Sequence, residues 1–339
     1  MATAPAAKLA ARVDELLARR TEANERFFGA EADRIARLCH RMAERFARGG
    51  RLLALGASAQ ARSDARHVAV EFVHPVIVGK RALPALALGP ESGPAALGVE
   101  LLAEPEDVVI AFGSETAEAV GRARERGCLT IGFECGAAEC AFEPPGSDPF
   151  VRQELAETCY HLLWELVHVF FEHKGLLEGR AVGSVHDPGA SSFLYPFLSE
   201  EEHDLDTVLA DVRASVGMKA QEVRELREQT LGEGDELIAA AAVTRRALDS
   251  GGKVLAFGNG GSATDAMDVV ADLRAAPQGW APRPALDLSE DSGILTALAN
   301  DIGPEVLFAR QVIAYGRGGD VALALSTSGN SANVIAALG

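Results

Sequence analysis

The chain has 339 residues, 48% of them hydrophobic, which is enough for two domains that each have their own core. Its formal charge is −17 at pH 7, and such an acidic surface argues against nucleic acid and membranes as partners. Anionic ligands are not excluded, because a local group of backbone N–H donors can hold a phosphate inside an acidic protein.

The amino-terminal segment and the cysteines predict the compartment. The first 20 residues carry early charges and no continuous apolar core of the signal-peptide type. No stretch approaches the roughly 18 uncharged apolar residues of a membrane span. The five cysteines are an odd number, which favours reduced thiols. We therefore expect a cytoplasmic protein.

The predicted elements alternate between helices and buried strands. Residues 6–48 have the apolar spacing of two helices and run into Gly49-Gly50. Short apolar runs typical of parallel strands follow, with helical segments between them, at 51–56, 82–88, 107–112, 128–133 and, as a short fifth strand, 140–144. A strong amphipathic helix covers 151–174. This order predicts an α/β domain with a parallel sheet flanked by helices on both faces, a three-layer, flavodoxin-like fold.

The pattern then starts again, which indicates a tandem duplication. GGKVLAFG at 251–258 repeats GGRLLALG at 49–56, and GGDVALAL at 318–325 corresponds to EDVVIAF at 106–112. We expect a first domain at 1–177, a Gly-, Ser- and Pro-rich linker at 178–200 and a second domain at 201–339, each domain preceded by helices. The second copy stops inside the helix after its third strand, so we expect it to be incomplete at its carboxyl end.

Two hydroxyl-rich loops carry the strongest chemical signal. GNGGSATDA at 258–266 and STSGNSANV at 326–334 each follow a predicted strand and open a helix. Carboxyl ends of parallel strands lie on the ligand-binding edge of a sheet. The loops contain no Lys or Arg and match neither a Walker loop nor a dinucleotide fingerprint. They suit a single phosphate monoester held by N–H and O–H donors, although a glycine turn with a hydroxyl helix cap also explains either loop alone.

These strings, together with ALANDIG at 297–303, resemble the phosphoheptose isomerase (sedoheptulose 7-phosphate isomerase) family of sugar-isomerase (SIS) domains over about 202–339. The resemblance implies two tandem SIS domains and a phosphorylated sugar as ligand. The residues that it implies for substrate binding are Asn259, Gly260, Gly261, Ser262, Asp301, Ser326, Thr327, Ser328 and Ser331.

The same family holds zinc with a His and a Glu four residues apart on one helix and a Gln and a His eight residues apart on another. In this chain the matching residues are His67 and Glu71, followed by Gln153 and His161, all in the first half. Glu71 and His161 also match the acid/base pair of the family. Inherited framework residues of a decayed site are the alternative. In the second copy, Asp268 and Asp272 replace the His and Glu.

Two classes of function remain open. The first is an aldose–ketose isomerase in which the first half supplies metal and acid/base groups and the second half the phosphate anchor. The second is a non-catalytic sugar-phosphate sensor or assembly protein, since a fold does not determine function. A glucosamine-phosphate enzyme ranks below both because no amidotransferase segment is found. The Ala-rich helices before each domain suggest a homo-oligomer, a dimer of two-domain chains, which light scattering tests.

Overall fold

The computed structural model describes residues 4–75, 80–172, 204–276 and 279–339. Contacts divide the chain into two compact units. The first unit comprises residues 12–232, and the second comprises 233–339 together with the start of the chain up to Ala11. The expected linker at 178–200 lies outside the described residues.

The first unit is built around a five-stranded parallel sheet with the order β2-β1-β3-β4-β5. Its helices and strands are, in chain order, α1 Ala4–Ala47, β1 Leu52–Gly56, α2 Ala59–Val73, β2 Ala85–Leu88, α3 Ala95–Leu102, β3 Val108–Phe112, α4 Ala117–Glu125, β4 Leu129–Phe133, β5 Cys140–Phe142, α5 Pro149–Glu172 and α6 Leu205–Gly232. The predicted α/β fold and parallel sheet are confirmed, including the short fifth strand.

The sheet of the first unit is buried on both faces because its strands are apolar throughout. Successive side chains of a strand point to opposite faces. Leu52 and Ala54 accordingly lie in the core beneath α1, α2 and α5, whereas Leu53 and Leu55 lie in the core beneath α3 and α4. This double burial explains why the sequence shows continuous apolar runs rather than alternation.

Helix α1 is a single helix, and the expectation of two helices over 6–48 is wrong. Gly29 interrupts the pattern but costs a helix only about 1 kcal/mol. Packing outweighs that cost, because large side chains on both sides of Gly29 face the core of the first unit. The buried apolar side chains at helical spacing are Phe27, Phe28, Ile35, Leu38, Met42 and Phe46.

Helix α6 groups with the first unit, whereas the sequence places residues 201–339 in a second domain. Its buried valines Val208, Val212 and Val216 belong to the first core. Asn24 on α1 donates a hydrogen bond from Nδ2 to the Ala220 carbonyl at 3.1 Å. The domain bounds stay a prediction, and the structure adds that this helix packs with the elements before it.

The second unit contains a three-stranded parallel sheet of order β7-β6-β8 in the described residues. Its elements are α7 Gly234–Asp249, β6 Val254–Phe257, α8 Gly261–Arg274, β7 Ala285–Asp287, α9 Ser292–Asp301, α10 Leu307–Tyr315, β8 Val321–Ala324 and α11 Ala332–Leu338. Strand β6 again separates two cores, with Val254 and Ala256 on one face and Leu255 and Phe257 on the other.

Both units share a carboxylate that joins two neighbouring strands at their amino ends. Asp107 accepts a hydrogen bond from the Arg51 backbone N–H at 2.7 Å, and Asp320 accepts one from the Lys253 backbone N–H at 2.9 Å. Each carboxylate also pairs with the side chain of the same basic residue. Strands β2-β1-β3 of the first unit and β7-β6-β8 of the second therefore have the same order and the same polar clamp.

Across the described parts of the chain, none of the helices combines the length and the hydropathy that crossing a membrane requires.

Candidate functional site

The two hydroxyl-rich loops follow adjacent strands of the second sheet. One leaves β6 at Gly258 and enters α8, and the other leaves β8 at Leu325 and enters α11. The chain runs from β6 out to β7 and then returns past β6 to β8, so the strand order reverses between β6 and β8. Ligands of open α/β sheets bind at such a switch point, outside the carboxyl ends of the strands.

The first loop depends on close packing at Gly258. A Cβ added there would lie 2.5 Å from the Ser262 carbonyl oxygen, so only glycine lets α8 start this close to the strand. Gly260 has a φ of +57°, and open space surrounds it. Asn259 and Gly260 are exposed, while Gly261 and Ser262 are half-buried. The loop thus presents the first turn of α8 to solvent, where helix N–H groups favour an anion.

We expect Gly258→Ala to lower the free energy of unfolding by about 1–3 kcal/mol, since the added methyl forces the loop off α8. Thermal denaturation of the full chain measures this loss. Gly217→Ala is the matched control: Gly217 is exposed inside α6 with no atom near its Cβ position, so alanine there is expected to be neutral or slightly stabilising. Equal melting temperatures for Gly258→Ala and the wild type would contradict the packing argument.

Thr264 does not contribute its hydroxyl to this loop. Its side chain is buried, and Oγ1 donates to the Gly261 carbonyl at 2.6 Å within the first turn of α8. The hydroxyl proton of Thr264 is therefore already donated within the helix. The hydroxyl of a Thr inside a first helical turn has this local acceptor within reach, which a sequence motif does not show.

The second loop is organised by its own serines. Ser326 Oγ accepts a hydrogen bond from the Gly329 N–H at 3.1 Å and lies 3.2 Å from Ser331 Oγ. Ser328 Oγ accepts from the Asn330 N–H at 3.2 Å. Gly329 has a φ of +66°, which permits the turn. Thr327 and Ser328 at the tip are exposed. The loop gathers hydroxyl and N–H donors at one strand end.

An amide pair joins the two loops. Asn259 Nδ2 donates to Asn333 Oδ1 at 2.9 Å, and Asn333 Nδ2 donates back to Asn259 Oδ1 at 2.9 Å. Asn333 lies in the first turn of α11 and was not singled out from the sequence, although it stands inside the STSGNSANV string. The predicted phosphate residues on the two loops are therefore brought to one place, with Asn333 as an added member.

Asp301, the remaining predicted residue of the second half, ends α9 and is exposed. Its carboxylate accepts a hydrogen bond from Asn300 Nδ2 at 2.7 Å.

A second cluster lies within the first unit, where α2 packs against α5. His67 Nδ1 lies 3.5 Å from Glu157 Oε1, and His161 Nε2 lies 3.8 Å from the same carboxylate oxygen. The two imidazole rings are nearly perpendicular, with centroids 4.8 Å apart. One ligating atom from each of the three residues fits within 4.8 Å of the others. The structure therefore brings together His67 and His161, which stand 94 residues apart in the printed sequence.

The cluster is buried on one side and open on the other. The His67 side chain is 5% exposed, whereas those of Glu157 and His161 are 29% and 36% exposed. Burial would raise the pKa of the Glu157 carboxyl, but the neighbouring His161 and His67 outweigh burial and hold that pKa below its usual value. The carboxylate is therefore kept ionised beside two imidazoles, with access from solvent.

Glu71 and Tyr160 complete the surroundings of His67. Glu71 Oε1 lies 3.7 Å from His67 Nε2 and is buried. The Tyr160 ring packs edge-on to His67, and its hydroxyl donates to Asp64 Oδ1 at 3.4 Å. Gln153 is half-buried on α5, two turns before His161. Glu157 was missed from the sequence; its position one turn before His161 is the signal that points to it.

The donor set fits a zinc ion. Two imidazoles and one carboxylate are the protein ligands of many catalytic zinc sites, which keep a fourth position open. Ligands about 2.1 Å from a tetrahedral ion lie roughly 3.4 Å apart. The separations of 3.5 and 3.8 Å that Glu157 makes with the two histidines are close to that value, and all three ligating atoms lie within 4.8 Å of one another.

The equivalent loops of the first unit are closed on themselves. Ser58 caps α2 by accepting a hydrogen bond from the Ala61 N–H at 3.1 Å. After β3, Thr116 Oγ1 donates to the Gly113 carbonyl at 2.7 Å. Thr116 thus donates its hydroxyl proton within its own loop, and Ser58 Oγ serves as an acceptor for the start of α2.

The chain is similar to known sugar-phosphate proteins over its second half. Residues 220–339 match the family model of the SIS domain. The phosphoheptose isomerase of Rhodospirillum rubrum is 50% identical over 100 residues, which are 29% of this chain and 53% of that protein. The phosphoheptose isomerase of Pelodictyon phaeoclathratiforme is 47% identical over 118 residues, 34% of this chain and 56% of that protein.

The chain spans about half the length of these curated relatives. Among solved structures, the tagatose-6-phosphate ketose/aldose isomerase of Escherichia coli has a TM-score of 0.50 at 12% identity, covering 96% of this chain and 77% of that one. That likeness shows the fold. The second half thus carries a SIS domain similar in sequence to phosphoheptose isomerases.

Proposed function

We propose that the protein is an aldose–ketose isomerase for a phosphorylated sugar, with sedoheptulose 7-phosphate as the first substrate to test. The observation that carries the proposal is the pair of hydroxyl-rich loops at the ends of β6 and β8. Their similarity to phosphoheptose isomerases supports the choice of substrate.

The two loops bind and orient the phosphate. The half-buried hydroxyls of Ser326, Ser331 and Ser262 and the first N–H groups of α8 donate to the phosphate oxygens. A phosphate held by neutral donors keeps its charge without a cation, which suits loops that contain no Lys or Arg. The anchor fixes the sugar so that only its far end changes during the reaction.

The Asn259–Asn333 pair links the two loops by side-chain hydrogen bonds. Asn333→Ala is therefore expected to weaken sedoheptulose 7-phosphate binding roughly 3–10-fold, because a neutral hydrogen bond contributes about 0.5–1.5 kcal/mol. Isothermal titration measures the effect. Gln221→Ala removes an exposed side-chain amide on α6 and is the matched control. Unchanged affinity in Asn333→Ala would show that the amide pair does not support phosphosugar binding.

Glu71 and His161 carry the proton transfer. Isomerisation removes a proton from the carbon next to the carbonyl, passes through an ene-diol and returns the proton to the neighbouring carbon. Glu71 is buried beside His67, so water is largely excluded from the carboxylate that would take this proton. His161 is partly exposed; its Nε2 faces Glu157, which leaves Nδ1 to exchange the hydroxyl proton of the sugar.

His67, Glu157 and His161 would hold a zinc ion. When bound, zinc supplies a Lewis acid that polarises a carbonyl oxygen. The imidazoles and the carboxylate of the chain orient one another before any ligand arrives, as their mutual distances show.

A non-catalytic sugar-phosphate sensor is the second candidate. The first unit favours it, because the loops after β1 and β3 lack the glycine pair and the STSGNS string of the second unit. One assay distinguishes the isomerase from the sensor. Zinc-loaded protein is mixed with sedoheptulose 7-phosphate, and both binding heat and product are measured. Product supports the isomerase; binding without product supports the sensor and rejects the isomerase.

A further inference from the structure

The two ring nitrogens of His67 face two different carboxylates. Nδ1 faces Glu157 at 3.5 Å, and Nε2 faces Glu71 at 3.7 Å. The two nitrogens of an imidazole point in diverging directions, so a single metal ion bonds to only one of them. An ion on Nδ1 is next to Glu157, and an ion on Nε2 is next to Glu71.

The position of His161 decides between these two places. Its Nε2 lies 3.8 Å from Glu157 Oε1, the same oxygen atom that faces Nδ1 of His67. We infer that Glu157 is a metal ligand of this protein, together with His67 and His161, and that Glu71 is not bound to the metal. Taking the ion to be zinc rests on the proposed function. The inference itself rests on the three-residue cluster.

The helix geometry of α5 supports Glu157 over Gln153. Glu157 and His161 are one turn apart, so their Cα atoms are separated by about 6 Å along the axis, against about 12 Å for Gln153 and His161. Side chains at i and i+4 lie on the same face and reach the same point easily. The Glu157 carboxylate is also charged and compensates part of the charge of a divalent ion, whereas the Gln153 amide is neutral.

The separation of roles has a chemical consequence for the site. A carboxylate bound to a divalent ion is a weak base, because its lone pairs are engaged and its proton affinity falls. If Glu157 supplies the anionic ligand, Glu71 keeps its basicity for proton transfer. The two glutamates on either side of His67 would then have different roles: Glu157 binds the metal, and Glu71 accepts the proton.

The test measures metal affinity in the full chain. Zinc is titrated against a competing chelator, and the cobalt(II) form is followed by its visible absorption spectrum. Relative to wild type, Glu157→Ala is expected to bind zinc at least 100-fold more weakly, and isosteric Glu157→Gln at least 10-fold more weakly. Both are expected to change the cobalt spectrum. Gln153→Ala and Glu71→Gln, the matched controls, are expected to stay within about threefold of wild type.

Circular dichroism checks the fold, and Glu157→Gln carries the test if Glu157→Ala does not fold. Wild-type affinity in Glu157→Gln, or weaker affinity in Gln153→Ala than in Glu157→Gln, would overturn the inference, as would a wild-type chain that binds no zinc. Metal binding through Glu157 without sugar turnover would uphold this inference and reject the proposed isomerase, so the two failures are distinguishable.

Discussion

Glu71→Gln is expected to lower the kcat for sedoheptulose 7-phosphate roughly 10²–10⁴-fold while KM changes little, because a glutamine cannot accept the proton that the ene-diol step releases. The substitution keeps the size of a buried side chain. Steady-state kinetics of the zinc-loaded protein measures the change, and zinc content is determined in the same sample to show that the metal is retained.

The control for Glu71→Gln is Glu118→Gln on α4. That carboxylate is 72% exposed and pairs with Arg122 on the surface, where such a pair contributes little. The kcat of Glu118→Gln is expected to equal that of the wild type. Near-normal turnover in Glu71→Gln would show that another group transfers the proton. If Glu71→Gln loses both its zinc and its turnover, Glu71 is instead a ligand of the metal.

The double variant Ser326→Ala/Ser331→Ala is expected to raise KM at least about 100-fold. Each hydrogen bond to a charged group is worth about 1.5–3 kcal/mol, and both hydroxyls are lost. Ser326 also accepts the Gly329 N–H, so the loop loses its internal tie as well as two donors. Titration with sedoheptulose 7-phosphate separates the loss of affinity from any change in turnover.

Ser292→Ala is the matched control for the serine pair. Ser292 is exposed at the first turn of α9, in the same unit but in another loop. Its affinity for the phosphosugar is expected to match that of the wild type. An unchanged KM in Ser326→Ala/Ser331→Ala would mean that the phosphate is held elsewhere, and the anchor assigned to these loops would have to be abandoned.

The strands and the two loops could be predicted from the sequence because local pattern determines them. Short apolar runs such as VLAF at 254–257 are long enough for a buried strand and too short for a helix. Both loops were expected at one edge because the carboxyl ends of parallel strands share that edge, whereas the direct adjacency of β6 and β8 is seen only in the structure. The resemblance to a family then named the loop residues one by one.

The parts that could not be predicted depend on contacts between distant segments. Glu157 belongs to the histidine cluster because α5 packs on α2. Its spacing of one turn from His161 is a local signal, but that spacing does not reveal the contact with His67. Glu154, three residues earlier, pairs with Arg20 and Arg227 instead. The amide bridge to Asn333 likewise needs two loops 74 residues apart to meet. Helix α1 continues through Gly29 because tertiary packing outweighs propensity.

Solvent-isotope incorporation tests the central claim most directly. Zinc-loaded protein is incubated with sedoheptulose 7-phosphate in D₂O, and the recovered sugar phosphates are examined by proton NMR and mass spectrometry. The account predicts an aldose product and deuterium on the carbon next to the carbonyl, with both lost in Glu71→Gln. Recovery of unlabelled starting sugar, bound but unchanged, would contradict it.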